Sequence, residues 1–184
     1  KSAMTATWAM GLLIFFDDYS NTLLVGTTMR PLTDKLRISR EKLAFLTDAT
    51  AAPVASMAMI STWIAYELGL LRDAFDIIGV QANSYAVFMQ SIPYRFYSLL
   101  MVGFVLMIAF TGRDYGPMLK AERRARYENK LVADGSTPLA SKELTEMEIK
   151  DSTPLRARNA IIPVLTVVLM VIVGLYINGK SAIL

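Results

Sequence analysis

Two adjacent carboxylates, Asp17 and Asp18, are the side chains of this chain best suited to chemistry. They interrupt a stretch, residues 2–29, that carries no other charge. A carboxylate inside a bilayer costs about 2.5 to 3.5 kcal/mol on insertion scales, so it indicates function more than packing. Ser20, Asn21 and Thr22 follow at once, and their oxygens suit a hard cation. The pattern predicts an ion-binding site, with Na⁺ held by Asp17, Asp18 and Asn21.

The elements around this pair have three interpretations. Residues 2–29 are long enough for one tilted span with the aspartates near its middle, or for two half-helices that meet at a break. Transporters build midplane sites from such broken helices. A purely structural alternative ends a helix at Phe16 and leaves both aspartates in the lipid headgroup region.

Asp48 and Thr50 form a second candidate ion site at the start of an uncharged run, residues 49–66. We expect residues 49–71 to span the membrane, with Thr47 or Asp48 as the N-cap, so capping is an alternative role for Asp48. The run begins with small residues, which allow helices to approach closely. Such packing against the Asp17 element would bring the two acidic sites together.

Uncharged runs also cover residues 96–112 and 159–179. A membrane-spanning helix needs roughly 17 to 25 mostly apolar residues, and these runs have that length. The chain is 54% hydrophobic with a mean hydropathy of +0.40. We therefore predict an all-α, polytopic integral membrane protein with about four membrane-crossing segments, one of them a broken or re-entrant helix.

The predicted organisation has three parts. Within the charged loop, Glu122 and Arg126 suit an i,i+4 pair on a surface helix, and Thr153–Pro154 suits the start of the final helix. We interpret the loop's charges as a solvated face and assign them no chemistry. The three parts are a partial membrane transport core at 1–112, a cytoplasmic loop at 113–158, and a final transmembrane helix with its tail at 159–184.

Lysine and arginine counts predict the orientation in the membrane. Segment 30–42 carries five basic residues and segment 113–158 carries ten, whereas segment 72–95 has two basic and two acidic residues. We expect the protein in the cell (inner or plasma) membrane. Segments 30–42 and 113–158 would be cytoplasmic and segment 72–95 would lie outside.

The absence of histidine and cysteine excludes several classes of function. It removes imidazole and thiolate metal sites and His-based catalysis. The chain also lacks a Walker A loop and a G-x-G-x-x-G motif. We expect no enzyme activity and no cofactor apart from the transported Na⁺ and H⁺.

The expected partners follow from the same features. Basic membrane loops account for the net charge of +3, so no nucleic acid is expected. The chain opens at Lys1, directly before an apolar segment. We therefore expect its partners to be the lipid bilayer and the remainder of the same polypeptide, and it could form a homo-oligomer.

Several blocks of sequence are similar to one transporter family, and together they cover most of residues 10–118. The blocks are FFDDYSNTL at 15–23, GTTMRPLTD at 26–34, RISREKLA at 37–44, DATAAPVA at 48–55, IPYRFY at 92–97 and GRDYGPM at 112–118. The pattern resembles the NhaC-type Na⁺/H⁺ antiporter family. This resemblance implies an integral membrane protein that exchanges sodium for protons, with the Asp17–Asp18 and Asp48 motifs lining the transport path.

Two other functions stay open. The wider family is associated with the exchange of organic acids or amino acids, so a sodium- or proton-coupled exchanger of an organic anion or amino acid is the first alternative. A membrane enzyme, or a non-catalytic anchor whose 113–158 loop binds a partner, is the second.

Overall fold

The computed structural model describes residues 1–136 and 158–181, and all regular elements in these ranges are helical. The predicted all-α class is confirmed for this part of the chain, while Thr153–Pro154 lies outside it. The helices are α1 (Ser2–Leu13), α2 (Asp18–Lys35), α3 (Arg40–Met57), α4 (Thr62–Ile78), α5 (Ser84–Ser91), a 3₁₀ turn (Ile92–Tyr94), α6 (Phe96–Thr111), α7 (Gly116–Tyr127) and α8 (Arg158–Ser181). The chain forms two compact units, Lys1–Ala133 and Asp134–Leu184.

The stretch that contains the aspartate pair is broken, as the interpretation with two half-helices expects. α1 ends at Leu13 and α2 begins at Asp18. The first break therefore lies at residues 14–17, directly before α2.

The third helix begins earlier than the sequence pattern suggested. Ser39 is the N-cap of α3, and its side chain accepts a hydrogen bond from the backbone N–H of Lys42. Asp48 lies in the interior of the helix, so its interpretation as an N-cap is wrong. The serine captures a free N–H of the first turn, and Arg40 to Thr47 then extend the helix before the uncharged run begins.

A second break divides the segment that was expected to be one span over residues 49–71. α3 ends at Met57 and α4 starts at Thr62, with a bend of 45° between the two helices. The Ser61 hydroxyl accepts from the N–H of Ile64 and donates to the carbonyl oxygen of Ala55 at 2.8 Å. This serine closes the end of one helix and caps the next, which stabilises the break.

The first unit packs around α3, which contacts α1, α2 and α6. The Trp8 indole on α1 also donates a hydrogen bond to the carbonyl oxygen of Val102 on α6 at 3.0 Å. The buried core cluster consists of Ala3, Met4, Ile38, Leu46, Val105 and Ala109. These contacts hold the first two turns of α1 against α3 and α6.

Few of the described helices are long and apolar enough to cross a membrane. One helical stretch, Phe96–Tyr127, meets the criterion of length and composition, and its apolar part is α6. The bent pair of α3 and α4 would be a second candidate if it formed one span. In α8 the apolar portion, Ile161–Ile177, is shorter. The prediction of about four crossing segments therefore stays a prediction.

The charged segment after α6 is not simply a solvated face. Asp114 forms an ion pair with Lys42, and both side chains are almost fully buried. Glu122, only 2% exposed, accepts hydrogen bonds from the N–H and the hydroxyl of Ser39 at 2.8 and 2.9 Å. The predicted pair between Glu122 and Arg126 is confirmed at 3.3 Å. Asp114 and α7 are thus attached to the start of α3.

Candidate ion-binding site at two helix breaks

The two helix breaks of the first unit meet each other. The backbone N–H of Thr62, at the start of α4, donates a hydrogen bond to the carbonyl oxygen of Phe16 at 2.9 Å. Phe16 lies between α1 and α2, where the backbone has left the helix and its carbonyl has no helical partner. Each break therefore satisfies a backbone group of the other.

Both aspartates lie at this meeting point, and each accepts a hydrogen bond from α4. Asp17 is the N-cap of α2, and its Oδ2 accepts from the N–H of Ser20 at 2.8 Å. Its Oδ1 accepts from the Thr62 hydroxyl at 3.1 Å. The Oδ1 atom of Asp18 accepts from the Trp63 indole N–H at 3.2 Å. Since an ionised carboxylate has about four lone-pair positions, oxygens of both side chains keep capacity for a cation.

Asn21 is fully buried and ties the two half-helices together. Its Nδ2 atom donates to the carbonyl oxygens of Gly11 and Ile14, both at 2.7 Å. These carbonyls belong to the C-terminal end of α1, which has no following turn to satisfy them. The Oδ1 atom of Asn21 is buried and has no hydrogen-bond partner among residues 1–136 and 158–181. A buried amide oxygen without a donor is a suitable ligand for a hard cation.

The structure places some of the other predicted site residues near the first break and leaves others exposed away from it. Thr50 is buried and lies against Gly11, so a Cβ atom on that glycine would come within 2.6 Å of the Thr50 hydroxyl oxygen. Asp48 and Thr22 are exposed, and neither side chain forms a hydrogen bond or ion pair with the part of the chain that is described. Ser20 contributes its backbone N–H to the aspartate pair. Thr50 is therefore close to the first break, whereas Asp48 is not brought into contact with Asp17 or Asp18.

Sequence reasoning missed Thr62 and Trp63, which supply the side-chain donors from α4. The available signal was the pair of hydroxyl residues Ser61 and Thr62 inside an apolar stretch, a pattern that is typical of a helix start. Hydropathy concealed this signal because the stretch carries no charge from Ala49 to Tyr66.

A charged anchor fixes α4 next to the second break. The Arg95 guanidinium donates to Oε1 of Glu67 at 3.0 Å and to the carbonyl oxygen of Ser56 at 2.9 Å. Its Cζ atom also lies 4.6 Å from the centre of the Phe88 ring. The hydrogen bonds that Arg95 donates to Glu67 raise the pKa of Arg95 above its usual value, and partial burial opposes this shift. Arg95 therefore stays charged and links α4 to the C-terminal end of α3.

Comparison with known proteins identifies the family. Residues 54–183 match the Na⁺/H⁺ antiporter family, and this match covers more than half of the chain. The chain belongs to this family. Membership places the protein in a membrane and among transporters. The matched region begins at Val54, after the Asp17–Asp18 and Asp48 motifs, so it leaves the narrower NhaC-type resemblance as a prediction.

The chain is similar to a protein from Haemophilus influenzae that is described as an uncharacterized protein. It is 28% identical over 184 residues, which are 100% of this chain and 33% of the relative. The chain thus spans about a third of the length of that protein. No solved structure matches the chain.

Proposed function

We propose that the full-length protein exchanges Na⁺ for H⁺ across the cell membrane, and that the meeting point of the two helix breaks binds the ion. The observation that carries this proposal is the position of Asp17 and Asp18, both half-buried, between two discontinuous helix pairs. Discontinuous helices are where secondary transporters bind coupling ions. Family membership supports cation–proton antiport as the class of activity.

The exchange follows from the chemistry of a partly desolvated carboxylate. Such a group binds a proton or Na⁺ but not both, because protonation neutralises the negative charge that attracts the metal ion. Asp17 and Asp18 are adjacent in the chain, so a bound Na⁺ would offset the repulsion between their two negative charges. The pair can thus release H⁺ when it takes up Na⁺ on one side, and reverse this on the other.

Neutral oxygens would complete the sodium shell. The free Oδ1 atom of Asn21 is the best supported of these, since it is buried and lacks a donor among the described residues. Ser20, Thr22 and Thr50 are further candidates from the sequence, and Asp48 is a possible second acidic contributor. The remainder of the polypeptide would supply the other half of the path, as sites between structural repeats require.

The test is sodium-driven proton movement in lipid vesicles that contain the full-length protein, measured over a range of pH. We expect Asp17→Asn and Asp18→Asn to reach the membrane, and at least one to abolish exchange. Asp73→Asn is the matched control, because Asp73 is exposed on α4 and away from both breaks. Wild-type rates and an unchanged pH profile in both site variants would contradict the proposal.

The same vesicles separate the alternatives. Uptake of an organic anion or amino acid in exchange for Na⁺, with no proton movement, would replace Na⁺/H⁺ antiport with the first alternative. Loss of transport on deletion of residues 137–152 alone, which leaves α7 and its contacts with α3 in place, would favour the loop as the functional element if both aspartate variants were fully active.

A further inference from the structure

We infer that Thr62 and Trp63 are positioning residues, which hold the carboxylates of Asp17 and Asp18 in the orientation that binds Na⁺. This inference rests on the proposed function and names the residues that determine the sodium affinity of the same site. Both donors come from the first turn of α4, 45 residues away from their acceptors in the chain.

The geometry fixes each carboxylate in a different way. Asp17 is held at both oxygens, by the N–H of Ser20 on Oδ2 and by the Thr62 hydroxyl on Oδ1, so the plane of its carboxylate is set. Asp18 is held at Oδ1 alone, by the Trp63 indole. Its other oxygen has no partner among the residues described, so it is free to face an ion.

The two donors differ in what they can do beyond positioning. An indole N–H only donates, so Trp63 can orient Asp18 but cannot bind a cation. A hydroxyl donates one hydrogen and keeps two lone pairs, so Thr62 can orient Asp17 and still offer its oxygen to Na⁺. Partners that orient the ligands of a metal ion typically change its affinity by 10- to 100-fold.

These hydrogen bonds are not needed to hold α4 in place. The backbone N–H of Thr62 still bonds to Phe16 when its hydroxyl is removed. The ion pair of Arg95 with Glu67 and the bond from Ser61 to the carbonyl of Ala55 also attach α4 independently. Because the donors lie on α4 and the acceptors at the α1–α2 break, any shift between these elements alters both carboxylates at once.

The experiment uses the full-length protein in vesicles and measures the sodium concentration at half-maximal exchange together with the maximal rate. Thr62→Val keeps the shape of the side chain without the donor, and Thr62→Ser keeps the hydroxyl. We expect Thr62→Val to raise the half-maximal sodium concentration about tenfold. The maximal rate should change little, and Thr62→Ser should stay near the wild type.

Trp63→Phe provides a second, independent variant in case Thr62→Val fails to fold, which size-exclusion chromatography would show. We expect it also to raise the half-maximal sodium concentration with little loss of maximal rate. An unchanged sodium affinity in the variants that fold would overturn the inference, and so would a lower maximal rate without any change in affinity.

The outcomes also separate this inference from the proposed function. If Asp17→Asn or Asp18→Asn abolishes exchange while the Thr62 and Trp63 variants bind sodium normally, only the positioning role is wrong. If the wild-type protein moves no protons in response to Na⁺, the proposed function is wrong and this inference falls with it.

Discussion

Gly11 on α1 lies directly against Thr50 on α3. A Cβ atom built on Gly11 would lie 2.6 Å from Oγ1 and 3.2 Å from Cβ of Thr50. Thr50 cannot easily turn away, because its hydroxyl donates to the carbonyl oxygen of Leu46 at 2.8 Å. Small residues at helix crossings permit this approach in membrane proteins. The carbonyl of Gly11 is also an acceptor of Asn21, so the crossing holds the first break in place.

Gly11→Ala should therefore lower the stability of the full-length protein by about 1 to 3 kcal/mol, the usual cost of overpacking. The measurement is thermal unfolding in detergent, followed by fluorescence or size exclusion. Gly26→Ala is the matched control, because a Cβ at Gly26 would meet nothing within 4 Å in the part of the chain described. A second change, Thr50→Ala, should recover part of the loss, since it removes the nearest atom. Equal stability of the two alanine variants would contradict the close approach.

Substitutions of Asn21 test how the first break is stabilised and whether Asn21 binds sodium. Asn21→Ala removes both bonds from Nδ2 and leaves two carbonyls without that donor, at a cost of about 1 to 3 kcal/mol. Asn21→Asp should cost more in the absence of sodium, because it puts a carboxylate against the same two carbonyls. If Oδ1 is a sodium ligand, then added Na⁺ should raise the unfolding temperature of Asn21→Asp more than that of Asn21→Ala. An identical response to sodium would argue against Asn21 as a ligand.

The buried pair of Lys42 and Asp114 should be sensitive to loss of either partner alone. Lys42→Met leaves the Asp114 carboxylate buried without its cation, which typically costs about 3 to 5 kcal/mol. The double variant Lys42→Met, Asp114→Leu should regain most of this stability, because no buried charge is left. A double-mutant cycle of unfolding measures the coupling, and additive effects of the two changes would show that the pair does not form.

The orientation can be tested by cysteine labelling, since the chain has no native cysteine. The basic residues of segments 30–42 and 113–158 predict that both are cytoplasmic. Asp76→Cys should react with a membrane-impermeant thiol reagent on intact cells, and Asp134→Cys should react only after the membrane is opened. The reverse pattern would mean that the positive-inside assignment is wrong.

Part of this structure could be predicted from the local chemistry of the sequence. Asp17 ends an apolar stretch and is followed by residues that favour the start of a helix, so a break there was one of three predicted arrangements. The structure has this break. The pair of Glu122 and Arg126 was predictable because residues four apart on a helix are neighbours. Helical class likewise follows from the apolar runs, since backbone groups in such runs must be satisfied within the segment.

The roles of Asp48 and Thr50 depended on the tertiary structure. Residues two apart on an α-helix point about 200° from each other, so only one of them can face α1. The sequence could not show which face that was, and the crossing at Gly11 buries Thr50 and leaves Asp48 exposed. The bonds from Thr62 to Asp17 and from Trp63 to Asp18 had no local signal either. They join residues 45 apart in the chain through the packing of two breaks. A helix-cap pattern in the sequence indicates that a helix starts there, but not which residues that start contacts.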